Sequence, residues 1–251
     1  MARAPKITRD QVIRRFEEFC PNEKNRPKVV AFMMDIYDRF KCDGLADKGF
    51  DSQLVGRSDD QFQERLSELL LAHWLWEDGF TLTSNDEGPD FRAAKGDWFV
   101  WIELVTPLPT SDAHRDYARP LQRGETDVRT VPVTDIKLRW LSVLANKKRQ
   151  MDQHVEKGIV GPSDPYVIAV NKRRLDRFNW DVNGISQHPL PVEVGFGLGP
   201  RVFQIDRTTG KPLDFGYQQR SEVTKPGTRA DQVRRSDGAS IASNKSKRNR
   251  R

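Results

Sequence analysis

Apolar positions recur at helical spacing in some stretches of the chain and run unbroken in shorter ones. TRDQVIRRFEEF, residues 8–19, sets Val12, Ile13 and Phe16 on one stripe behind Thr8 and Asp10 as cap candidates, which predicts a helix. CPNEKNRP breaks the pattern, and PKVVAFMMDIYDRF, residues 27–40, predicts a second helix. A polar loop follows around Gly49 to Asp60. The strongest helical period is in DQFQERLSELLLAHWLWEDG, residues 60–79, where Phe62, Leu66, Leu69, Leu70, His73 and Trp74 share a face and Gly79 closes the helix.

Short apolar runs come next. Phe80 to Thr83 reads as a strand, and GPDFRAAKGDWFVWIELV, residues 88–105, reads as a hairpin. Residues 106–135 form a long connection rich in proline and charge, a length more often functional than idle. Ile136 to about Lys157 predicts a helix stopped by Gly158. DPYVIAVN, residues 164–171, has the unbroken apolar character of a strand covered on both faces. LPVEVGFG and PRVFQID, near residues 190–206, read as later strands. No repeat is visible. The order of elements predicts an α/β fold with a central mixed β-sheet flanked by helices. It divides into an N-terminal helical section (1–58), a core (59–218) and a basic tail (219–251).

Composition narrows this picture. At 251 residues, 36% hydrophobic and 31% charged, the chain can bury one sizeable core. No run approaches the roughly eighteen apolar residues of a membrane span. The N-terminus turns charged where a secretory signal would be apolar. Cys20 and Cys42 match no zinc or disulfide pattern, so the expected compartment is reducing and cytoplasmic. Arg220 to Arg251 holds ten basic residues against three acids and accounts for the whole +6 excess. Its end, SNKSKRNRR, has nothing apolar to bury and should be disordered. Such a tail binds polyanions in a salt-sensitive way or simply solubilises the chain.

Two carboxylates in the hairpin raise a chemical question. If DFRAA and DWFVWIELV pair around a two-residue loop, Lys95-Gly96, then Asp90 faces Trp101 and Glu103 sits diagonally on the same face. The two acids would be roughly 7–8 Å apart, close enough to lean onto one cation. A three-residue loop would send Glu103 to the opposite face. An ionised carboxylate in an apolar strand is costly unless it is paired or bound to a cation. A place at the strand's edge in water, or a lysine or arginine partner, would also satisfy Glu103.

GPDF, a short gap and WIELV resemble the PD-(D/E)xK nuclease superfamily, with its restriction-endonuclease-like fold. The resemblance covers roughly residues 60–171 and rests on short motifs together with the order of elements. It implies a Mg²⁺ (or Mn²⁺) site of Asp90, Glu103 and the backbone carbonyl of Leu104, with a third acid on the preceding helix. That acid is Glu64 or Glu68, and Glu68, inside the apolar SELLLAHWL, is preferred. The sequence departs from the pattern at Val105, where family members commonly carry lysine. Some members of the superfamily move that lysine to the following helix. Here Trp140, Leu141, Leu144, Met151 and Val155 form the inward stripe of that helix, with Lys147 and Lys148 on its flanks. Arg139, Ser142, Leu144, Lys147 and Gln150 are similar to an R-x-x-S-x-L-x-x-K-x-x-Q order in other members. That similarity makes Lys147 the choice and Lys148 the reserve.

The implied activity is metal-dependent phosphodiester hydrolysis, on DNA in preference to RNA. Lys147 would assist the attacking water, Gln150 would position it and Glu68 would support the ion. Lys148, Arg149, Lys245, Lys247 and Arg248 are candidates for contact with nucleic acid. The alternative is an inactive relative of the same fold that binds nucleic acid or protein. Other constellations carry less. Asp112, His114 and Asp116 form a D-x-H-x-D triplet read as solvated loop, and His73 reads as a packed core residue. GFGLG lacks a strand–turn–helix setting for a phosphate, and Trp98 and Trp101 read as sheet core.

Overall fold

The structure is a computed structural model and describes residues 7–121, 124–176 and 183–219. The tail, with Lys245, Lys247 and Arg248, lies outside the described residues. The chain divides into two compact units, Met1–Val182 and Asn183–Arg251. Among the described residues no helix is long and apolar enough to cross a membrane.

The first unit opens with α1 (Arg9–Phe19), where Thr8 and Gln11 close a capping box. The Thr8 amide donates to Gln11 Oε1 at 2.8 Å. α2 (Arg26–Cys42) carries Pro27 in its first turn, where the missing N–H costs nothing. The stretch expected to be a polar loop contains α3 (Phe50–Leu54), whose Phe50 and Leu54 are both fully buried. Five residues hold too little of the helical period to show in a sequence.

α4 (Asp59–Glu77) starts at Ser58, whose hydroxyl accepts from the Gln61 amide, and ends before Gly79, at φ +81°. Its buried face is Phe62, Leu66, Ser67, Leu69, Ala72 and Trp76, whereas Trp74 is 73% exposed. The expected stripe therefore drifts at its end. Trp74, five residues past Leu69, lies about 140° around the helix, and Trp76, seven past, returns to the face. His73 packs edge-on against Phe32 at 5.0 Å.

The sheet runs β1 (Thr81–Thr83), β2 (Phe91–Lys95), β3 (Trp98–Val105), β4 (Tyr166–Val170) in spatial order. The first two pairings are antiparallel and β3–β4 is parallel, so the sheet is mixed. A parallel pair needs a long crossover, supplied here by α5 (Asp112–Ala118) and α6 (Val133–Glu156), which stops at Gly158, φ +70°. On α6, Ile136, Lys137, Trp140 and Val143 are buried, while Leu141, Leu144, Met151 and Val155 are half-buried.

α5 corrects the reading of the D-x-H-x-D triplet as solvated loop. Ser111 caps it, and the helix turns His114 inward, fully buried, with Nε2 at 2.8 Å from the Leu175 carbonyl oxygen. Residues two apart on a helix point about 200° from each other, so Asp112 and Asp116 face away.

Alternation along β3 separates two faces. Val100 and Ile102 join Leu82, Phe91 and Ala93 in one core with the apolar residues of α1–α4. Trp101 and Glu103 point the other way, where α6 delivers Lys147. Trp98, at 53% exposure, is not sheet core; it meets Phe80 edge-on at 5.3 Å near the hairpin tip. β4 is the terminal strand, and Val167 is 49% exposed. It is not covered on both faces, because an edge strand lies at the margin of both helical layers.

In the second unit α7 (Leu190–Gly195) precedes an antiparallel hairpin of β5 (Leu198–Ile205) and β6 (Pro212–Gln219). PRVFQID lies within β5 as expected, but LPVEVG is helix. Pro191 suits a helical first turn and cannot donate to a ladder. Glu193 turns inward, where Oε2 accepts from the Ser186 amide at 2.9 Å and hydroxyl at 2.8 Å.

Candidate active site

The β2–β3 loop is Gly96-Asp97, with Lys95 opposite Trp98. Gly96, at φ +60°, takes the first loop position, where a two-residue turn of this hand favours glycine. The register is therefore two residues from the expected one. Because side chains alternate with a period of two, the shift preserves the face. It also replaces the diagonal pair by a direct one. Phe91 faces Ile102, so Asp90, one residue earlier, comes opposite Glu103.

Four elements converge there. Asp90, at the entrance to β2, accepts a hydrogen bond on Oδ2 from the Leu104 amide at 2.6 Å. Glu103 is 7% exposed on β3. Lys147 of α6 donates from Nζ to Glu103 Oε1 at 2.5 Å. The Tyr166 hydroxyl of β4 donates to Oε2 at 3.3 Å. Of the two lysines, Lys147 makes the contact with Glu103, whereas Lys148 is exposed and pairs with Asp152 at 2.9 Å. Arg149 is exposed and bonds Asn146, and Gln150 is exposed one turn beyond Lys147.

The two candidate acids of α4 differ in the same way. Glu64 is exposed, while Glu68 is half-buried and takes both oxygens to one nitrogen of Arg65, at 2.9 and 3.0 Å. Arg65 is itself fixed by Gln53 at 2.7 Å and Asp47 at 3.0 Å. Burial pushes the Glu68 carboxyl up to about 8, against the pull of Arg65, and the charge of Asp90 adds to the rise. Asp90 is pushed up to about 6, first by burial and then by Glu103; the Leu104 amide and Lys147 oppose the shift. The Tyr166 phenol is raised above its usual range by burial and by Glu103. Asp90, Glu68 and Glu103 thus share one electrostatic neighbourhood.

Sequence reading missed Tyr166, Arg65 and a polar node beside them. Ser67 donates to the Gln63 carbonyl at 2.6 Å and accepts from Thr106 at 3.0 Å and Asn171 at 2.7 Å. The node ties α4 to the residues that follow β3 and β4. Nothing in the spacing of these residues along the chain announces it.

Among the described residues there is no group of three or more His, Cys, Asp or Glu placed to hold a metal ion. The oxygen donors at hand are the two carboxylates and main-chain carbonyls. That set fits a hard cation such as Mg²⁺, which takes one or two carboxylates from a protein and leaves other positions to water and phosphate oxygen. Family models, curated proteins and solved structures were compared with the chain, and none matches.

Proposed function

We propose that the chain is a metal-dependent phosphodiesterase, a nuclease of the PD-(D/E)xK, restriction-endonuclease-like kind that acts on DNA in preference to RNA. The observation that supports this best is the contact of Lys147 with Glu103 directly opposite Asp90. The position vacated at Val105 is supplied with an amine by the next helix. Asp90, Glu103 and the Leu104 carbonyl would hold Mg²⁺ or Mn²⁺. Such an ion polarises a phosphate and lowers the pKa of bound water.

The chain's own groups do the rest. Lys147, whose Nζ reaches this spot from α6, would place its ammonium beside the phosphate and offset the charge that develops there. Asp90, its carboxyl pushed up to about 6, would have to shed its proton to act as a ligand, so a cation and a proton would compete for it. Glu68, held by Arg65 with its carboxyl pushed up to about 8, adds negative charge behind Asp90 only above that pH. Gln150 serves as a positioning residue for water only if substrate draws it in from the surface.

Plasmid and oligonucleotide cleavage with Mg²⁺ or Mn²⁺ tests the reading. Wild type should cleave, and Asp90→Ala and Lys147→Ala should each lose about a hundredfold or more. Equal behaviour of the three proteins would remove it. It would leave the alternative, a binding module in which Lys147 and Glu103 simply neutralise each other.

A further inference from the structure

A cleft of about 750 Å³ opens past the carboxyl ends of β3 and β4, the end of an α/β sheet where ligands ordinarily bind. It runs between Arg15 of α1, Leu108 after β3, Arg115 of α5 and Arg119 just past it, and Arg173 and Arg174 after β4. A smaller cavity of about 200 Å³ adjoins it, walled by Phe16, Val29, Met33, Leu66 and Leu70. Three residues line both: Phe19, Gln63 and Arg173.

Those three have something in common. Phe19 leaves a large ring 40% exposed. The Gln63 carboxamide has no hydrogen-bond partner among the described residues; the Ser67 hydroxyl bonds its backbone carbonyl instead. The other cleft arginines are paired: Arg15 with Asp59, Arg115 with Asp112, Arg119 with Glu125 and Arg174 with Asp60. The Arg173 guanidinium has no ion pair among the described residues. An aromatic face, a free amide and a free guanidinium at one junction match the three parts of a nucleotide: base plane, base edge and phosphate.

We propose that this junction takes one unpaired nucleotide of a nucleic-acid strand. The base enters the small cavity, stacked on Phe19 with its edge on Gln63. Arg173 holds the adjoining phosphate, and the strand continues along the large cleft. The proposal rests on the nuclease reading and supplies its substrate class: the strand is single where it is gripped. The small cavity, at about 200 Å³, admits one base and not a stacked pair, and a duplex would first have to unstack.

Fluorescence anisotropy of the full chain in EDTA tests this without any cleavage. The probes are a labelled thymidylate strand of about twelve nucleotides, an abasic strand of equal length and a duplex of that length. Charge alone would favour the duplex. Wild type should instead bind the thymidylate strand about tenfold tighter than either other probe. Phe19→Ala should bring that binding down to the abasic level and leave the abasic strand's own binding unchanged. Arg173→Ala should weaken both single strands. Both side chains are exposed, so both variants should melt with the wild-type protein. Equal binding of the three probes, indifference to both substitutions, or displacement by thymidine monophosphate as efficient as by the strand would each overturn the proposal. A strand preference without cleavage would defeat the nuclease reading alone. Cleavage without a strand preference would defeat this proposal alone.

Discussion

On one side of β3, Val100 and Ile102 sit among Leu82, Phe91, Ala93 and the apolar residues of α1–α4; on the other, Glu103 meets Lys147 and Tyr166 with Asp90 opposite. The same eight-residue strand serves both. The first side is ordinary burial, worth about 1.5–3 kcal/mol for each large side chain removed from water. The second spends stability, since taking charges out of water costs several kcal/mol per ion before pairing offsets it. The lesson is mechanical as well as energetic. An apolar face that fixes the backbone of β2 and β3 also fixes the separation of the acids on the reverse. Neighbouring carboxylates that would otherwise move apart are held opposite each other.

The contrast can be broken from either side. The largest stability effect belongs to the apolar face: Phe91→Ala, which empties a fully buried site, should cost about 3–5 kcal/mol in denaturant unfolding. Lys147→Ala should cost about 3 kcal/mol, because it strands Glu103 in the interior. Lys147→Met combined with Glu103→Gln should recover most of that loss, since neither charge then remains. A double variant as unstable as Lys147→Ala would show that packing and not charge holds this face.

Removing Asp90's charge should act in the opposite direction. Its folded pKa of about 6 lies above the unfolded value of about 3.9. The native state therefore binds the extra proton, and the stability that proton brings is complete below about pH 4 and lost as pH rises through 6. Asp90→Asn should be about 3 kcal/mol more stable than wild type at pH 8 in EDTA and level with it below about pH 4. Urea unfolding at the two pH values checks the sign; a constant difference would place the origin of the shift elsewhere. The smallest effect is expected at Trp74, which faces solvent: Trp74→Ala should stay within about 0.5 kcal/mol of wild type by thermal melting.

The two regions also differ in how much of them could be read from the chain. α1, α4 and α6 were legible because Thr8, Gly79 and Gly158 mark their ends and the apolar period runs for several turns. α3 and α5 were not, being five and seven residues long. α7 was mistaken for a strand because LPVEVG alternates over too few positions to separate a period of two from one of 3.6. In the site, Glu103 and Glu68 were legible as charges within apolar stretches, Asp90 by its place at the mouth of the neighbouring strand, and Lys147 by the motif order along its helix. The shared face of Asp90 and Glu103 survived a wrong loop assignment because the error was an even number of residues. Tyr166, Arg65 and the Ser67 node were not legible, since their meaning lies in contacts between residues far apart in the chain: Tyr166 with Glu103, and Asn171 with Ser67.

Whether the reverse face of β3 is a cation site is decided most directly by a crystal structure of the full chain soaked in manganese, with its anomalous signal. The account predicts one peak between the Asp90 and Glu103 carboxylates, in contact with the Leu104 carbonyl, and Lys147 displaced from Glu103 toward open space. A map with no peak there, Lys147 still bonded to Glu103 and Asp90 still on the Leu104 amide, would contradict it.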